Sequence, residues 1–227
     1  MQSVVYAASA EAMAAFYLAS RLLWRALASH PQIVAVRYMQ KLFAIKTIKT
    51  IREDGKPVRR LLEWLTSKLS PPRVIWDRMG TSKYLSRWYL TGRPTMPDGS
   101  EPFLPDGAPK IGVIVPSGIG VYLHKFHRGD DDQELHNHPW RWSFALILAG
   151  GYVEERRIGS RVIRRAVRPG SINVIRGDDF HRVDLIEKDA WSLFVAGPKV
   201  SSWGFWNRRT DEFSPWREFI QRKRAGS

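Results

Sequence analysis

Gly129-Asp-Asp-Asp-Gln-Glu-Leu-His136-Asn137-His138 and, further along, Pro169-Gly170-Ser-Ile-Asn-Val-Ile-Arg-Gly177-Asp-Asp-Phe-His181 are the two stretches on which the reading of this chain turns. In an extended strand, residues two apart point to the same side. His136 and His138 can therefore aim at one point while Asn137 faces away. The second stretch opens on a Pro-Gly turn, runs through one short strand and ends on a third histidine. In an antiparallel barrel that path returns the chain to a neighbouring strand. Three neutral imidazoles can cap one face of a metal ion and leave its other positions open.

The sequence around these stretches reads as short strands separated by turns. The expected strands are Lys83 to Leu90, Ile111 to Val115, Gly120 to His127, Trp142 to Leu148, Gly151 to Arg157, Ser160 to Val167, Ser171 to Ile175, His181 to Leu185 and Trp191 to Gly197. Thr91 to Pro109 is rich in Gly, Pro and Asp and reads as a loop. Such spacing indicates a sandwich or barrel, not a series of βαβ units. Upstream of residue 80 the pattern is helical. Helices are expected from Ser9 to Ala28, from Gln32 to Arg52 and from Pro57 to Leu69, the last ended by Pro71-Pro72. A short terminal helix is expected from Ser214 to Lys223, with Ser214 as its cap and Pro215 in its first position. The organisation read from this is a helical N-terminal arm (1–80), a β-barrel (81–207) and a basic C-terminal tail (208–227).

Composition narrows the chemistry. The chain has 227 residues and no cysteine, so disulfides and thiolate metal sites are excluded and any metal must take nitrogen or oxygen ligands. The lack of disulfides fits a reducing cytoplasm. The formal net charge of +14 attracts anions, whether nucleic acid, acidic membrane or a charged small molecule. The apolar run from Val4 to Leu23 is interrupted by Glu11 and Arg21 and has no basic start. It is read as an amphipathic helix docked on the domain or a partner, in preference to a membrane anchor.

The two stretches together resemble the two motifs of the cupin superfamily. The first motif has a glycine, a His-x-His pair, a glutamate four or five residues on, and a glycine seven further. Gly129, His136, His138, Ser143 and Gly150 fall on it, with the loop to His136 one residue longer than usual. Pro169-Gly170 and His181 fall on the second motif. The resemblance covers about residues 110 to 200. It implies a mainly β fold, a double-stranded β-helix or jelly-roll barrel, with one divalent metal ion on His136, His138 and His181. Two departures stand out. Ser143 occupies the place of the glutamate that many cupins use as a fourth ligand, and Asp178 stands where a glycine usually precedes the last histidine. A neutral three-histidine set leaves the ion's full charge available to an anionic substrate. Some cupin dioxygenases that act on thiols use three histidines, so the resemblance favours Fe(II), with Zn, Ni and Mn as other fits. It also admits a homodimer.

Further candidates surround the histidines. His124 and His127 precede the pair on one strand, and either can be an extra ligand, a proton shuttle or a surface residue. Glu154 or Glu155 can replace the missing carboxylate or lie on a solvated strand beside Arg156 and Arg157. Asp179 and Asp184 flank His181, and either can accept its second ring proton. Trp140 and Trp142 can stack on a flat substrate or fill the barrel, while Arg141 or Arg176 can hold its carboxylate or phosphate. Trp203, Phe205 and Trp206 are expected to pack the barrel against the helical arm. The functional expectation is a metal-dependent enzyme, an Fe(II) oxygenase first, with isomerase or hydrolase chemistry as other outcomes. A non-catalytic ligand-sensing or nucleic-acid-binding module is the alternative.

Overall fold

The computed structural model describes residues 55–77, 80–105, 108–116 and 118–225. The helices expected from Ser9 to Ala28 and from Gln32 to Arg52, and the apolar run from Val4, lie outside the described residues.

Two six-stranded antiparallel sheets face each other. The first has the order β1-β2-β3-β10-β5-β8 and the second β12-β11-β4-β9-β6-β7. The strands are β1 (Arg73–Trp76), β2 (Lys83–Tyr89), β3 (Gly120–Phe126), β4 (Leu135–His136), β5 (Trp142–Ala149), β6 (Tyr152–Ile158), β7 (Arg161–Val167), β8 (Ile172–Arg176), β9 (His181–Leu185), β10 (Ala190–Ala196), β11 (Gly204–Asn207) and β12 (Glu212–Pro215). Consecutive strands repeatedly cross from one sheet to the other, as β8 to β9 and β9 to β10 do. Two packed antiparallel sheets joined by such crossings form a jelly roll, the fold class expected from the sequence.

Strand β5 shows why the sheets sit as they do. Its run Ser-Phe-Ala-Leu-Ile-Leu-Ala is apolar on both faces, which suits a strand covered on both sides. Phe144, Leu146 and Leu148 pack outward with Trp88, Leu123 and Trp191. Ala145 and Ile147 point between the sheets with Tyr122, Tyr152, Val183 and Phe194. The outward face is covered by helix α1 (Gly55–Thr66), whose Val58 and Leu62 join it. Arg59 fixes that helix by donating Nε to Asp189 Oδ1 at 2.7 Å and Nη2 to Glu187 Oε2 at 2.6 Å. At the β5–β6 turn, Gly150 has φ +74°, and a Cβ there would stand 2.1 Å from the Asp189 carbonyl oxygen. Only glycine fits that position.

Several elements depart from the sequence reading. Strand β1 lies before residue 80, where the pattern reads as helical arm, and it pairs with β2 from Arg73↔Arg87 to Trp76↔Lys83. Residues 111–115 form no strand: Gly112 takes φ +81°, Ile111 is 99 % exposed, and only Ile114 bridges, to Thr95. The C-terminal helix α2 (Trp216–Ala225) begins two residues late, because Ser214 and Pro215 belong to strand β12, paired with Phe205 and Gly204. Among the described residues, Trp203 and Phe205 pack on this helix; the first two helices of the N-terminal arm, which they were expected to meet, lie outside the described residues. Trp203 stacks on Trp216 at 5.7 Å and Phe205 on Phe219 at 4.1 Å. Trp206 instead donates Nε1–H to Asp211 and carries Arg157 over its ring.

Candidate metal centre

Strand β4 is only two residues long, yet it is held on both sides. His136 pairs with His181 of β9 and with Phe205 of β11. Asn137 turns away from its neighbours. Its Nδ2 donates to the Gly177 carbonyl at 3.0 Å, and its Oδ1 accepts from Gly204 N–H at 2.8 Å. These two bonds tie together the loops around the histidines and leave His136 and His138 on the inner side.

The three imidazoles form a near-equilateral triangle. Ring centroids are 5.2 Å apart for His136 and His138, 4.8 Å for His136 and His181, and 5.0 Å for His138 and His181. Their ligand atoms lie within 4.8 Å of one another. His138 Nε2 and His181 Nε2 are 2.8 Å apart. Two imidazole nitrogens bound to one ion at about 2.0–2.2 Å stand about 3 Å or slightly more apart, so this spacing fits a shared ion.

The tautomer of His181 follows from its other nitrogen. His181 Nδ1 lies 2.9 Å from Glu154 Oε1, and Glu154 is fully buried. Burial opposes the charge on Glu154, but the His181 N–H, Arg156 and Arg165 outweigh it and hold the carboxyl well below its usual range. An ionised carboxylate only accepts, so His181 carries its proton on Nδ1 and turns the Nε2 lone pair toward His138. Burial above all, with Arg87 adding to it, pushes His138 well below its ordinary range, so its ring is neutral. Two facing nitrogens of this kind need a shared proton or a cation between them. The donor set therefore fits a divalent ion.

A second carboxylate stands near His136. Asp130 Oδ2 is 3.7 Å from His136 Nδ1 and accepts the Val183 N–H at 2.7 Å, while Oδ1 accepts the Tyr84 hydroxyl at 2.6 Å. Burial, then Asp130, push the Tyr84 hydroxyl well above its ordinary range, so it stays protonated. The aromatic rings of Trp140 on His138 and of Trp203 and Phe205 on His136 wall the triangle.

The remaining candidates separate clearly. Glu154 is not on a solvated strand; it is the partner of His181. Asp179 and Asp184 are not: Asp179 accepts from Arg176 N–H and pairs with Arg156, and Asp184 pairs with Arg182 at 2.8 Å. Ser143 is buried, and its Oγ reaches the Ile175 carbonyl at 3.5 Å. Trp142 faces outward and stacks on Phe144, away from the histidines. Arg141 and Arg176 are exposed; Arg141 lines an outer groove with Asn137 and Phe180. His124 lies inside the barrel, stacked on Phe194 at 4.8 Å, whereas His127 meets Ser86 at 2.9 Å. Asp130 and Tyr84 escaped the sequence reading, because their place depends on long-range pairing.

Strand order and the histidine triangle together give a β-barrel with three converging imidazoles, the arrangement that the resemblance to cupins implied. No family model matches the chain, and no curated protein matches it. Among solved structures, an oxalate oxidase in complex with glycolate is 19 % identical, with a TM-score of 0.33 over 39 % of this chain and 46 % of that one. DMSP lyase DddQ from Ruegeria pomeroyi DSS-3 is 16 % identical, with a TM-score of 0.32 over 50 % and 47 %. Fe(II)-HppE with the alternative substrate (S)-1-HPP is 10 % identical, with a TM-score of 0.37 over 57 % and 56 %. The chain spans about half the length of these structures. No helix among the described residues is long and apolar enough to cross a membrane.

Proposed function

We propose that the chain is a metal-dependent cupin enzyme in which His136, His138 and His181 hold one divalent ion, and that it acts as an Fe(II) dioxygenase on a small anionic substrate. One observation carries the reading: the buried Glu154 carboxylate fixes the His181 tautomer, so that its Nε2 lone pair faces His138 Nε2 at 2.8 Å. When bound, the ion supplies Lewis acidity and, as iron, one-electron chemistry toward dioxygen. The chain's own residues do the rest. Glu154 orients the His181 imidazole, Asp130 places a carboxylate 3.7 Å from His136 Nδ1, and Asn137 holds the His-Asn-His segment in place. Trp140, Trp203 and Phe205 limit the access of water. Ser143, inside the barrel and without charge, keeps the donor set neutral and so suits an anionic substrate.

Purified protein loaded in turn with Fe(II), Zn, Ni and Mn, and offered a panel of small carboxylates, tests the reaction. Dioxygen uptake confined to the Fe(II) form is expected. Occupancy by zinc without any uptake would turn the reading to a hydrolase or isomerase.

A further inference from the structure

The inner face of the first sheet carries a row of polar side chains in register. Arg73 on β1 pairs with Arg87 on β2, Arg87 with His124 on β3, His124 with Ser192 on β10, and Ser192 with Ile147 on β5. Ile147 belongs to the core between the sheets, and strand alternation places Ser192, His124 and Arg87 on that same side. His124 is 3 % exposed and Ser192 2 %. A polar row of this kind inside an otherwise apolar wall is costly unless its groups find partners.

The partners within the chain are incomplete. Arg87 donates Nε–H to His124 Nε2 at 2.9 Å. His124 Nε2 is therefore an acceptor, and the neutral ring carries its proton on Nδ1. That Nδ1–H has no hydrogen-bond partner among the described residues, and neither has the Ser192 hydroxyl. The Arg87 guanidinium lies over the Tyr122 ring at 5.0 Å, and among the described residues no carboxylate pairs with it. The row thus offers a guanidinium, an N–H and an O–H. Burial and Arg87 keep His124 uncharged, so these three residues carry a single positive charge, which matches one carboxylate better than a phosphate dianion. The Phe194 ring lies 4.8 Å from His124 and 6.3 Å from His138, which places the row one aromatic ring from the candidate metal centre.

We propose that Arg87, His124 and Ser192 form a carboxylate-binding subsite on the inner wall of the barrel, holding the anionic end of a substrate whose reacting end faces His136, His138 and His181. The placement of the reacting end rests on the metal reading above; the subsite itself does not.

Calorimetric titration of the full chain with malonate, malonamide and inorganic phosphate, in Co(II)-loaded and metal-free form, tests the subsite. Malonate is expected to bind both forms, malonamide neither, and phosphate more weakly than malonate. Arg87→Gln is expected to weaken malonate binding about 10–100-fold, the loss of one charge-assisted contact, with Arg87→Lys between it and the wild type. Ser192→Ala is expected to weaken it several-fold. Thermal melts check that each variant is folded. Malonate binding that is unchanged in folded Arg87→Gln and Arg87→Lys, or absent from both forms of the wild type, overturns the subsite. Loss of the Co(II) site with Arg87-dependent malonate binding intact would instead sink the metal reading and leave the subsite standing.

Discussion

At the scale of single residues, Glu154 has the most informative environment. It receives the His181 Nδ1 proton, Arg156 Nη2 at 2.8 Å, Arg165 Nε at 2.8 Å and Asn173 Nδ2 at 2.9 Å. A fully buried carboxylate is tolerated only when so surrounded. With a metal on His181 as proposed, its position beside that imidazole would make it the group that sets ligand basicity. Glu154→Gln is expected to keep one metal site per chain while weakening metal affinity about 10–100-fold. Competition with a chromophoric chelator measures this, and unchanged affinity would remove Glu154 from the centre. The histidines themselves are legible in the sequence, since their spacing alone puts them together. Glu154 was ambiguous there. Its inward turn follows from the register that sets it opposite Arg165 and Val183, and Arg156 and Arg157 beside it suggest a solvated strand. The one sequence signal was its two-residue spacing from Tyr152, which faces the same interior.

At the scale of elements, the long strands were readable because alternating or continuous apolar runs mark them. The short ones were not: β1, β4, β11 and β12 have two to four residues each and owe their form to neighbours. The β1–β2 turn shows how such a neighbour is held. Asp77 accepts from Thr81 N–H and Oγ1, from Ser82 N–H and Oγ, and from Arg128. The Ser82 hydroxyl holds its carboxyl well below the ordinary range; burial opposes this and Thr81 adds to it. A folded-state value below the unfolded one, about 3.9, gives stability that is present above that pH and lost as the pH falls toward the folded value. The melting temperature of the wild type is therefore expected to drop further between about pH 5 and pH 3 than that of Asp77→Asn. Equal drops would show that the turn does not depend on the ionised form. Helix α1 gives a second test. Leu62 is 1 % exposed in the cluster against the first sheet, so Leu62→Ala is expected to cost about 2–4 kcal/mol in urea unfolding. A loss under about 1 kcal/mol would mean that the helix is a loose cover.

At the scale of the whole molecule, two sheets enclose an interior that is apolar in part, crossed by a polar row on one wall, with the histidines at one end. Tyr122, Ile147, Tyr152, Val183 and Phe194 cluster between the sheets, and the histidine triangle lies where β4, β9 and β11 meet. The sequence revealed this architecture through the spacing of its strands and the two histidine stretches. It did not reveal that the C-terminal helix meets Trp203 and Phe205, because those side chains carry no mark of the helix they meet. The central claim is that His136, His138 and His181 hold one divalent ion. Elemental analysis of the purified wild type beside His136→Ala and His181→Ala tests it most directly. About one metal equivalent per chain is expected in the wild type, with a marked fall in both variants under the same preparation. Full metal content in either variant would contradict the claim.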